Sequence, residues 1–160
     1  MFAHRAPLYN GRMATLSPTS PRFGAAGLFL DRLATGDFDQ LAAALEPDVK
    51  LSALLPRGFC EWQGSEAVCA AFTSFFGGMD EFEVLDATVG QVGDRLQLRW
   101  RVHVHGGRLG PDDFVAEQQC YADAGPSGRL QFIVMVCSGF CKEHVRQGSP
   151  THQPQKEFTS

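Results

Sequence analysis

Arg95-Leu96-Gln97-Leu98-Arg99-Trp100-Arg101-Val102-His103-Val104-His105 alternates apolar and polar side chains without a break, the period of a strand with one buried face. Two similar runs follow it, Phe114–Ala122 and Arg129–Cys137, and the gaps Gly106–Pro111 and Gly125–Gly128 are short and rich in turn residues. Phe82–Val92 precedes it across a tight Gly93-Asp94 turn. Four consecutive strands joined by hairpin-sized loops make an antiparallel meander.

The segments upstream carry helical spacing. Ala26, Phe29, Leu30 and Leu33 lie on one face of Phe23–Thr35, with Gly36 as a stop. Asp37 is placed to cap a second helix whose stripe is Phe38, Leu41, Ala42 and Leu45, ended by Pro47. Val49–Leu55 then alternates as a strand, Pro56-Arg57-Gly58 turns the chain, and Phe59–Gln63 pairs back. Ser65 is a candidate N-cap for a third helix with Val68, Cys69, Phe72, Phe75 and Phe76 on its apolar face, ended by Gly77-Gly78. Helices first and strands afterwards predict an α+β fold, three N-terminal helices packed on one face of a mostly antiparallel sheet.

The chain has 160 residues, 44% of them hydrophobic, enough for one domain with a real core. We place that domain at residues 23–141, with a disordered leader at 1–22 and a disordered tail at 142–160; Met13 is an alternative start. The net charge of -4 and the lack of a basic block argue against nucleic acid as a partner. No apolar run reaches the roughly 20 residues that span a bilayer, and residues 1–22 lack the apolar core of a secretory signal, so a cytoplasmic protein without membrane contact is expected. Five cysteines do not make a disulfide framework and fit a reducing compartment. Cys137, Cys141 and His144 have the spacing C-x3-C-x2-H, but no second cluster matches it, and no metal is expected.

Gly36-Asp37-Phe38-Asp39 followed by Leu41, Leu45 and Pro47-Asp48-Val49, then Trp62-x-Gly64 opening a helix, resembles the nuclear transport factor 2-like superfamily, in the style of its SnoaL-like polyketide cyclase and ketosteroid isomerase branches. The ending Gly128-Arg129-Leu130 into a strand closed by Cys137-Ser138-Gly139-Phe140 is similar to small bacterial members, and the likeness spans Phe23 to Phe140. The resemblance implies a cone: a strongly curved sheet around the helices, an apolar pocket open at one end, and homodimers formed through the outer sheet face. It does not carry the familiar catalytic residues across. Ala53 falls near the position of the isomerase base, no carboxylate lies between Asp48 and Glu61, and Leu130–Cys137 lacks the late acid of the SnoaL-like branch.

Other residues are then the candidates. On the first strand quoted, Trp100 shares the apolar face and is a pocket-lining or core residue, while His103 and His105 are proton-transfer candidates on the polar face. His105-Gly106-Gly107 resembles a His-Gly turn of SnoaL-like relatives and suggests a place at the pocket rim. In Phe114–Ala122 one phase turns Gln118 inward as a ligand-orienting amide. The opposite phase turns Glu117 and Tyr121 inward, making Glu117 the catalytic carboxylate. Trp62, before the third helix, either lids a ligand or staples the hairpin, and Asp112-Asp113 and Asp80-Glu81 read as solvated loop charges. Three functions fit: binding of a small apolar or aromatic metabolite, cofactor-free isomerase, cyclase or dehydratase chemistry, and dimerisation or assembly through the sheet.

Overall fold

The alternation of Arg95–His105 is realised residue by residue, with Leu96, Leu98, Trp100, Val102 and Val104 all at 1% exposure or less and their neighbours facing outward. The structure, a computed structural model, describes residues 21–143. Met13, nearly all of the expected leader, and His144 with most of the expected tail lie outside the described residues.

In chain order the elements are α1 (Pro21–Thr35), a 3-10 helix (Phe38–Ala44), β1 (Leu45–Leu55), β2 (Gly58–Gln63), α2 (Ser65–Phe76), β3 (Glu81–Val92), β4 (Arg95–His105), a 3-10 turn (Gly107–Leu109), β5 (Asp113–Ala124), β6 (Leu130–Cys137) and β7 (Cys141–Lys142). The sheet runs β2-β1-β6-β5-β4-β3, with the meander β3 to β6 antiparallel as expected. β1 joins it parallel to β6. β6 pairs with β5 from Gln118 to Ala124, and beyond that the same edge of β5 is taken up by β7 at Phe114 and Val115. The chain therefore leaves β6 at Cys137, loops out over Ser138 to Phe140, and returns to pair with β5, the neighbour of the strand it left.

Register shifts curve the sheet. The β3–β4 ladder slips between Val84 and Asp86, the β5–β6 ladder between Asp123 and Ala124, and the β1–β6 ladder between Leu45 and Lys50. Each extra residue bends its strand and increases local twist, which lets a flat ladder wrap as a cone. α1 packs against β3, β4 and β6, and α2 against β1 and β2. The core between them is aromatic: Phe29 lies 5.6 Å from both Phe72 and Trp100, and Phe38, Phe76 and Phe82 close a second group with centroids 5.3–6.1 Å apart.

Four details depart from the sequence reading. The second helix is 3-10 rather than α, and its buried residues are Phe38, Leu41 and Ala44, three apart, as a three-residue turn requires. Asp37 makes no capping bond to it; the carboxylate accepts from Gln40 Nε2 at 2.8 Å instead. Ser65 is the first residue of α2, not its cap, a position taken by Gly64. Lys142, assigned to the tail, belongs to β7.

Candidate functional site

The phase of β5 decides which polar groups enter the cone. β4 and β5 pair without interruption from Leu96 opposite Ala122 to His105 opposite Asp113, so no bulge reverses the alternation. Ala116, Gln118, Cys120 and Ala122 are buried inward, each at 1% or less. Glu117 and Tyr121 consequently face outward. Glu117 accepts from Arg101 Nη2 at 3.0 Å and lies 3.5 Å from Arg99, and Tyr121 Oη receives a bond from Gln119 Nε2 at 3.4 Å. The inward phase belongs to Gln118, and the alternative that put Glu117 and Tyr121 in the pocket is not the one adopted.

Gln118 is one of only two buried polar residues among those described. Its Oε1 accepts from Trp100 Nε1 at 2.7 Å, which fixes the amide orientation and satisfies the indole in one contact. Its Nε2 then points to the other side, where the acceptor is the Cys137 sulfur at 3.5 Å. Trp100 itself fills the cone, held between Phe29 and Phe72, and is the layer behind the pocket rather than its lining.

The pocket opens where several loops meet at one end of the sheet. It holds about 370 Å³, and its apolar walls are Leu55, Pro56, Phe75, Phe76, Ala116 and Phe140. Gln118 and Cys137 face it from the sheet, Ser74 from α2, and Arg57 and Arg108 from the β1–β2 and β4–β5 turns. β1 and β6 run parallel, so both end here, as does α2; the β4–β5 turn completes the rim. Two close approaches seal it. A Cβ on Gly139 would meet Pro56 Cγ at 2.6 Å, and one on Gly107 would collide with the Gly78 carbonyl, so glycine lets each loop lie against its neighbour. Arg108 donates to the carbonyls of Phe75 at 2.6 Å and Gly77 at 3.5 Å, and its guanidinium lies 5.9 Å from the centre of the Phe140 ring.

His103 and His105 are brought together on the outer face. His103 Nε2 and His105 Nδ1 both contact Asp113 Oδ1 at 3.0 Å. The His103 contact, joined by that of His105, holds the Asp113 carboxyl below its usual range. This cluster and Glu117 are separated from the pocket by the thickness of the sheet. Among the described residues no three His, Cys, Asp or Glu side chains are arranged to hold a metal ion. Burial pushes the Cys120 thiol up to about 12 and raises that of Cys69, as expected of small core residues.

Trp62 packs edge-on against Phe75, 5.7 Å between centroids, and does not line the pocket. It supports a wall residue from behind. Arg57, Arg108, Phe75 and Phe140 are pocket residues that sequence reasoning did not single out. The available signal was positional: Arg57 and Arg108 each sit at a hairpin tip, and the parallel pairing of β1 with β6 brings those tips to the same end.

A family model described as SnoaL-like domain matches residues 27–137. No curated protein matches the chain. Among solved structures, an LEH-like epoxide hydrolase of M. tuberculosis is similar at 20% identity, covering 76% of this chain and 86% of that one, with a TM-score of 0.56. An NTF2-like protein of Burkholderia xenovorans is similar at 14% identity, with 74% and 89% covered and a TM-score of 0.55. A phenazine biosynthesis-related protein of Pseudomonas aeruginosa reaches a TM-score of 0.58 at 6% identity, with 81% and 85% covered. At these identities the likeness is one of fold.

Proposed function

The chain belongs to the SnoaL-like domain family, and from that premise we propose that it binds a small apolar or aromatic metabolite in the pocket at the open end of its cone. The observation that carries this reading is the pairing of an aromatic-walled space of about 370 Å³ with a single buried amide, Gln118, oriented by Trp100. Ligand pockets typically hold roughly 300–1,000 Å³ and combine apolar walls with a few fixed polar groups. The amide supplies a donor at the pocket floor whose present acceptor is only a thiol sulfur, a weak one. Proton-transfer chemistry lacks comparable support, because Glu117, His103 and His105 all lie on the outer face.

Isothermal titration with a neutral aromatic probe, naphthalene-2-carboxamide, tests the reading. The native chain is expected to bind it at one site, and Cys137→Phe, which places a ring in the pocket, is expected to abolish binding while retaining the far-UV circular dichroism of the parent. No binding by the native chain, or unchanged binding by the variant, overturns it.

A second copy of the chain is the partner we propose, seated on the outer sheet face. Leu54, Phe59, Phe132, Val134 and Val136 are 47–63% exposed there and adjoin one another across β2, β1 and β6. Free thiols at all five cysteines support a cytoplasmic location for this assembly.

A further inference from the structure

We infer that the ligand of this pocket carries an anionic group, a carboxylate or a comparable oxyanion, on its apolar body, and that Arg57 and Arg108 receive it. The inference rests on the pocket reading above and narrows its ligand class. Its first support is an imbalance of charge. The chain as a whole is acidic, with a net charge of -4, yet the pocket lining contains two arginines and no aspartate or glutamate. Elsewhere on the sheet arginines are neutralised: Arg95 by Asp123, Arg99 by Asp86, Arg101 by Glu117, and Arg129 beside Glu46. Arg57 and Arg108 have no carboxylate partner among the described residues.

The second support is preorganisation. A guanidinium has five N–H donors in a rigid fork suited to a carboxylate. Arg108 spends two of them on the carbonyls of Phe75 and Gly77 at the end of α2, and its guanidinium carbon lies over the Phe140 ring, 5.9 Å from its centre. Those contacts hold the side chain over the pocket and leave donors for a ligand. Capping α2 explains Arg108 alone but not Arg57, which is exposed on its turn and has no structural contact of that kind. Cations at the rim of a low-dielectric cleft focus the field into it, so a ligand anion is attracted before it is bound. Phe75, Phe76 and Phe140 would then enclose the apolar body while Gln118 meets its far end.

Calorimetric titrations at low salt with 2-naphthoate and with naphthalene-2-carboxamide, equal in shape and different in charge, test the inference on the full chain. The expected result is at least tenfold tighter binding of the carboxylate, with most of that preference, read as the ratio of the two affinities within each variant, lost in Arg57→Gln and in Arg108→Gln. Arg57→Gln is the decisive variant, because Arg57 is exposed on its turn, and its thermal midpoint is expected to match the parent. Equal affinity for the two probes overturns the anion inference and leaves the pocket reading standing. A carboxylate preference that survives both substitutions overturns the assignment to these arginines. Failure of both probes to bind overturns the pocket reading and the inference with it.

Discussion

Glu46 is 5% exposed, and its carboxylate accepts the Ser127 backbone N–H at 2.9 Å and the Ser127 hydroxyl, with Arg129 Nη2 at 3.8 Å. One side chain thereby ties the start of β1 to the β5–β6 turn. The Ser127 hydroxyl bond, ahead of an opposing desolvation effect, holds the carboxyl below its ordinary value. A carboxyl whose pKa is lower folded than unfolded contributes stability that is complete above the unfolded value and is lost as pH falls through the folded one. Glu46→Gln is therefore expected to melt below the parent at neutral pH, with the gap closing as pH drops beneath the ordinary glutamate range of about 4.3. Thermal midpoints measured from pH 7 down to pH 3 check this; a gap that does not change with pH overturns it. Nothing in Glu46-Pro47-Asp48 announces such a role, since its partner lies 81 residues away.

At the scale of elements, what could be read in the sequence is what periodicity encodes. β4 has one alternating face and an unbroken ladder, and its bounds and inward residues are those its pattern indicates. The sequence indicates an α-helix at Phe38–Ala44 because Phe38, Leu41 and Leu45 satisfy a 3.6-residue stripe. In the structure the chain is already extended at Leu45 (φ -111°, ψ 140°), and Pro47 disfavours a helical Glu46, so only seven residues remain and they tighten to a three-residue period. The parallel β1–β6 pairing has no local signal at all, and it is that pairing which brings Arg57, Arg108 and Phe140 to one rim. α2 was readable as an amphipathic helix, and its two aromatic layers have different work. Phe72, 1% exposed between Phe29 and Trp100, belongs to the core, whereas Phe75 is a half-buried pocket wall backed by Trp62. Phe72→Ala is expected to cost about 3–5 kcal/mol of unfolding free energy in urea titrations, the range for a buried aromatic truncated to a methyl. Phe75→Ala is expected to cost clearly less. The reverse order would mean that the core is centred on Phe75 instead.

At the scale of the whole molecule, the outer sheet face divides into two territories. Across β3, β4 and β5 the charges answer one another: Arg99 with Asp86 and Glu117, Arg101 with Glu117, both histidines with Asp113. Across β2, β1 and β6 exposed apolar side chains surround an ion pair, Lys50 with Glu61: Leu54 pairs with both Phe59 and Val136, and Val134 lies between Tyr121 and Ser52. A two-fold contact between copies covers such a patch with itself and needs no complementary surface elsewhere on the molecule. In the proposed dimer the neutralised half would form a polar rim, as in stable interfaces. The patch and the pocket are two sides of the same strands: Leu54 faces out and Leu55 lines the pocket, and Val136 and Cys137 divide in the same way. Covering the outer side would stiffen the inner wall without blocking its mouth. Val134→Lys, two residues before that junction on β6, is expected to shift the chain from dimer to monomer in sedimentation velocity runs at micromolar concentration. Its binding of 2-naphthoate is expected to persist, weakened by a few-fold. A native chain that sediments as a monomer at high micromolar concentration overturns the dimer, and a Val134→Lys monomer that binds as tightly as the dimer severs the link between face and pocket.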